Sequence, residues 1–140
     1  MRYVNWELEI HNSSTMRFIV SLILTMLLSF AVCLYFPWWS IAVVGFIVAI
    51  VIQQTPGMSF ATGFFALLLL WGGLSFWINS NNGHILAHKA SSLIFKTDNP
   101  WLLMFVTAII GALVAGFAAM TGSYLLKLYY LSKRPDSKTA

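Results

Sequence analysis

The sequence predicts an all-α protein, an integral membrane bundle of four transmembrane helices with short extramembrane segments. Three observations carry this. Of the 140 residues, 59% are hydrophobic and 9% charged, against roughly 25% charged in a soluble domain, and mean hydropathy is +0.81. Four apolar runs, residues 18–36, 38–52, 58–78 and 101–126, hold no charged side chain, and about 20 such residues make one crossing. All four prolines, Pro37, Pro56, Pro100 and Pro135, fall between or beyond these runs, where a missing backbone donor costs least.

The chain therefore divides into a cytoplasmic amino-terminal segment (1–16), a transmembrane domain (17–126) with an outer loop (79–100), and a basic cytoplasmic tail (127–140). The second run is short for a crossing, so its helix is expected to extend through Gln53 and Gln54 into the interface. Arg2 and Arg17 precede the first run and Lys127, Lys133, Arg134 and Lys138 follow the last, which places both ends in the cytoplasm. Aromatic side chains mark the boundaries: Tyr35, Trp38, Trp39, Trp77 and Trp101 on the outer side, Tyr124, Tyr129 and Tyr130 on the inner.

In the amino-terminal segment Val4, Trp6, Leu8 and Ile10 alternate with Asn5, Glu7, Glu9 and His11. A period of two reads as a strand. A lone strand is unstable in water, so its partner would be another chain, with Trp6 as anchor; the alternative is an interfacial or disordered segment. Arg2 and Arg17 ahead of an apolar run invite comparison with a signal sequence, but Val32 stands where lipoprotein cleavage needs a small residue, and an uncleaved anchor is expected.

Chemistry within a membrane needs ionisable groups, which are expensive there and persist for use. The four runs hold none. Their polar groups, such as Ser21, Thr25, Ser29, Thr62, Ser75, Thr107 and Thr121, suit helix packing. Small four-helix drug exporters depend on a carboxylate inside the first span, whereas Glu7 and Glu9 lie before it. The single Cys33 excludes disulfide exchange and cysteine-rich zinc sites. No catalytic residue, cofactor or metal is expected. His84 and His88, four apart on the outer loop, are the weak metal candidates; two ligands fall short of a stable zinc site, and residues 83–95 read as an interfacial helix carrying surface histidines.

The fourth run has the most specific packing signal. Ala108, Ala112 and Gly116 form one row of small residues, and Gly111, Ala115 and Ala119 a second. Small residues let helix backbones approach closely. Both rows serve the bundle itself, or one is left for another membrane protein or a second copy; the candidate interaction residues are Gly111, Ala115, Ala119 and Trp6. The clustered basic residues point to anionic membrane lipid and not to nucleic acid.

Leu70, Trp71, Gly72, Gly73, Asn79, Gly83 and His84, followed by Pro100, Trp101 and the small residues between Gly111 and Gly122, make the second half resemble small four-span bacterial inner-membrane proteins of unknown function. That resemblance implies architecture and no activity. The expected role is a non-catalytic membrane subunit or anchor that binds and stabilises a larger complex. The competing expectation is a small pore, holin-like protein or transporter.

Overall fold

The computed structural model describes the backbone of residues 3–83 and 85–133, with side chains from Ser13 onward in those ranges. The fold is all-helical over this extent: α1 (Tyr3–Cys33), α2 (Ser40–Val51), α3 (Pro56–Asn81), α4 (Ile85–Phe95) and α5 (Pro100–Ser132). Three of them, α1 over Ser13–Cys33, α3 and α5, are long and apolar enough to cross a membrane.

α1 runs through the segment for which a strand was expected. Residues 3–33 contain neither Gly nor Pro. A helix begun there bonds its own backbone and propagates one hydrogen bond per residue, whereas a strand would need a partner. Local alternation of apolar residues therefore loses to backbone satisfaction. Trp6 lies on this helix, and its side chain is outside the described residues.

The second apolar run also departs from expectation. α2 has 12 residues, about 18 Å at 1.5 Å per residue, short of the ~30 Å hydrocarbon core. The expected extension through Gln53 and Gln54 does not form. The helix closes with Ile52 N–H donating to Val48 O. Pro56 then opens α3, and the residues before a proline are pushed out of helical geometry.

α3 ends where Asn82 N–H donates to Ile78 O and Gly83 adopts φ +58°, the left-handed conformation glycine enters without a Cβ clash. α5 starts at Pro100 with Asn99 as N-cap, its Oδ1 accepting from Leu102 N–H at 3.3 Å.

α5 packs against α3 and α2, and α1 packs against the same two helices. α2 and α3 thus stand between α1 and α5. The core is Ile41, Ala66, Leu67, Leu70 and Ala115, with Leu22, Met26, Cys33, Trp71, Leu74 and Val114 against it. Large apolar side chains point outward, among them Ile19, Ile23 and Leu27 on α1 and Phe105, Ile110 and Phe117 on α5. That exterior suits lipid.

Close approach of α5 requires glycine on its neighbours. A Cβ on Gly63 would meet Ala115 O at 2.7 Å, and one on Gly45 would meet the same oxygen at 3.1 Å. A Cβ on Gly72 meets nothing within 4 Å. Gly63→Leu should therefore cost about 1–3 kcal/mol or more through overpacking against backbone, while Gly72→Ala should be neutral or gain up to about 1 kcal/mol from helix propensity. Thermal unfolding in detergent checks both; equal stability of the two variants would refute the packing assignment.

Candidate functional site

At the end of the bundle where α2 passes into α3, polar side chains from α1, α3, α5 and the α2–α3 connection converge. Gln54 Nε2 donates to Arg17 O at 2.8 Å, and Arg17 Nη1 donates to Gln53 O at 3.4 Å. Gln53 Nε2 donates to the Tyr130 hydroxyl at 3.0 Å. The single Thr62 proton has two acceptors in reach, Met58 O at 2.8 Å and Gln54 Oε1 at 3.1 Å. Just beneath, Ser123 Oγ donates to Ser59 Oγ, joining α5 to α3 in a buried contact. The two glutamines left out of helix by Pro56 thus tie α1, α3 and α5 together.

Above these bonds lies an open cleft of about 530 Å³, walled by Ser13, Ser14 and Arg17 of α1 and by Leu126, Lys127 and Tyr130 of α5. The start of α3, at Thr55, Pro56 and Met58, completes it. Arg17 and Lys127 make it cationic. Among the described side chains the one carboxylate is Asp98, which pairs with His88 in the α4 region.

That pair occupies the sequence's metal candidate. His88 Nδ1 and Asp98 Oδ1 are 2.5 Å apart, with side chains 47% and 65% exposed, so the contact fastens α4 to the connection before α5. His84 lies outside the described residues. Among the described residues no three metal-ligating side chains come together.

The small-residue rows lie inside the bundle. Ala112 and Ala115 are fully buried and Ala108 and Ala119 nearly so. A Cβ on Gly111 would meet Trp71 Cδ1 at 3.0 Å, and one on Gly116 would meet Phe60 Cε2 at 2.9 Å. The face that Gly111, Ala115 and Ala119 were expected to offer a partner is filled by α2 and α3. The physical reason is geometric: α3 meets both rows, at Gly111 and at Gly116, and α2 reaches Ala115 through Gly45, so this chain supplies the neighbours itself.

The aromatic residues expected at the outer boundary stand in two tiers. Trp38 shares a cavity with Trp71, Thr107 and Gly111, whereas Trp101 lies beside Phe76 with ring centroids 6.1 Å apart and the planes tilted by 35°. Trp101 precedes Thr107 by six residues, about 9 Å of helix. The α1–α2 hairpin stops short of the ends of α3 and α5.

Comparison with protein-family models, curated proteins and solved structures finds no match.

The cleft does not show in the sequence, where Arg17 stands as a topology marker, Gln53 and Gln54 as helix extension and Tyr130 as interfacial belt, each ordinary in that role. A Gln-Gln pair between two apolar runs, closed by a proline, was the available signal: two amides at a membrane boundary need partners.

Two outcomes follow. Ala115→Leu should destabilise the isolated protein by about 1–3 kcal/mol, seen as a lower unfolding temperature in detergent with no partner present; an unchanged temperature would return that row to the surface. Asp98→Asn should change stability by less than about 1 kcal/mol, the range of an exposed pair.

Proposed function

We propose that the chain is a non-catalytic integral membrane subunit or anchor that binds and stabilises a larger membrane complex. One observation carries the reading: the middle of the bundle is filled by Ile41, Leu67, Leu70 and the small residues of α5. A filled centre suits a scaffold. The exposed apolar faces of α1 and α5 are then available to lipid and to other membrane proteins, including a second copy.

In this reading the protein is a small four-span protein of a bacterial inner membrane with both ends cytoplasmic. α2, with the turns on either side of it, makes the fourth and shortest crossing. Its ends support this, since Gln53 and Gln54 bond to Arg17 and Tyr130 at one level and Trp38 stands at the other end. The excess of Lys and Arg outside the first and last spans supports the orientation.

A small pore or holin-like protein is the second reading. The observation in its favour is the row Ser21, Thr25 and Ser29, buried along α1, with the Ser29 hydroxyl lacking a hydrogen-bond partner. Conduction through a single copy would require that row to part from α2 and α3.

Affinity capture of the full chain in mild detergent, followed by mass spectrometry, separates the two. The anchor reading expects a stoichiometric membrane partner and no loss of membrane potential on expression; lysis or ion flux without a partner would replace it with the pore. Single cysteines at positions 90 and 135 in a Cys33→Ser background test the topology. Position 90 should label from outside and position 135 only after permeabilisation, and the reverse pattern would overturn the orientation.

A further inference from the structure

The cationic cleft remains unused by the anchor reading. Its two cations come from separate helices, Arg17 from α1 and Lys127 from α5. The packing of α2 and α3 between those helices brings them to opposite walls of one space. Among the described residues the Arg17 guanidinium is engaged by one long bond, 3.4 Å to Gln53 O, and has further N–H groups to offer a ligand. The Lys127 ammonium forms no bond or ion pair with the described residues.

The start of α3 adds to the same field. Thr55, its N-cap, makes no side-chain capping bond, and Pro56 has no N–H to offer. The N–H groups of a helix's first turn lack intrahelical acceptors and carry the positive end of its dipole. Cations on two walls and a helix start beneath them form an arrangement suited to a phosphate. A carboxylate among the described side chains that could neutralise it is far away: Asp98 pairs with His88 in the α4 region.

Position selects among phosphates. The outer faces of the two cleft walls are apolar, with Met16 on α1 and Leu128 on α5 exposed at the level of the cleft and Val20 and Leu125 exposed toward the middle of the bundle. A phosphate bearing acyl chains would lay them along these surfaces with its headgroup between Arg17 and Lys127. The aromatic ring of Tyr130, bonded through its hydroxyl to Gln53, stands at the junction of the polar and apolar parts, where such rings favour the interface.

We propose that this cleft binds a phosphate group, with the headgroup of an anionic phospholipid as the ligand whose chemistry fits both the cations and the apolar walls. The inference is independent of whether the chain is an anchor or a pore, because it needs only the bundle and its place in a bilayer.

The test is retention of phosphatidylglycerol by the full chain in mild detergent, read by native mass spectrometry, with phosphatidylcholine as the zwitterionic control. Wild-type protein should retain phosphatidylglycerol in preference to phosphatidylcholine. Each basic residue near an anionic lipid contributes roughly five-fold, so Lys127→Gln should weaken retention about five-fold and Arg17→Gln with Lys127→Gln about 25-fold. Lys89→Gln with Lys96→Gln removes the same charge elsewhere and should leave retention unchanged. Should the Arg17 variant fail to fold, Lys127→Gln alone decides, since its side chain has no partner in the described fold.

Millimolar inorganic phosphate identifies the source. Displacement of phosphatidylglycerol together with thermal stabilisation by phosphate alone would assign the site to a soluble phosphate compound; failure to displace assigns it to lipid. Equal retention of the two lipids with no effect of phosphate, or equal loss in the Lys89/Lys96 variant, would overturn the site.

Discussion

The approach of α5 to α2 and α3 is the constraint on which the rest of the structure depends. Within lipid, helices gain little from burying apolar side chains, because the hydrocarbon around them is equally apolar. What remains is dispersion, which falls away over a fraction of an ångström. The Ala115 carbonyl faces Gly45 and Gly63 together, so both helices close on one point of α5. The same helix meets α2 again nearer the cleft, where a Cβ on Gly122 would lie 2.7 Å from Phe46 O. With α2 and α3 fixed in this way, the connection between them has one place to go, and it carries Gln53 and Gln54.

α1 is held by different chemistry. Its inward positions Ser21, Thr25, Ser29 and Cys33 recur every four residues, and the three hydroxyl-bearing ones are buried. Small polar side chains in this row let α1 approach its neighbours closely. Arg17 continues the row by one turn, out of the packed region and into the cleft. Its backbone carbonyl accepts from Gln54 while its guanidinium reaches Gln53 O. One residue thus both registers α1 against the α2–α3 connection and supplies charge to the space above it.

The helical architecture was legible because hydropathy and proline placement act locally. Pro37, Pro56 and Pro100 each stand at or within a few residues of a helix boundary, for the same reason in each case: the missing N–H and the crowding of the preceding residue. The amino-terminal segment was misread because a period of two is evidence for a strand only where a second strand exists. α2 was overextended because the sequence shows Gln53 and Gln54 as tolerable interfacial residues and hides that their amides are needed elsewhere. The rows on α5 were recognised as packing surfaces, but their occupant was open, since a small-residue row has the same appearance whether it meets its own chain or another. The cleft was invisible for a related reason: Arg17, Gln53 and Lys127 are far apart in sequence and share no spacing.

Measured from the level of Gln53 and Gln54, the helices reach unequally toward the other end of the bundle. From Arg17 to Cys33 α1 covers about 24 Å, whereas α3 over Pro56–Asn81 covers about 38 Å and α5 between Tyr130 and Pro100 about 45 Å. A bilayer matched to the α1–α2 hairpin would leave α3 and α5 projecting, and one matched to α3 and α5 would thicken around the hairpin; either mismatch costs a fraction of a kcal/mol per ångström. α4 eases it. It packs chiefly on α5, turns Ser91 inward and leaves Leu86, Leu93 and Ile94 exposed, so apolar surface is placed beside the projecting helices at the height where lipid would begin to thin. The His88–Asp98 pair holds it there from the solvent side. At the opposite end Gln53 and Gln54 bond to Arg17 of α1 and Tyr130 of α5, and this joint holds charges from two non-adjacent helices across a single opening.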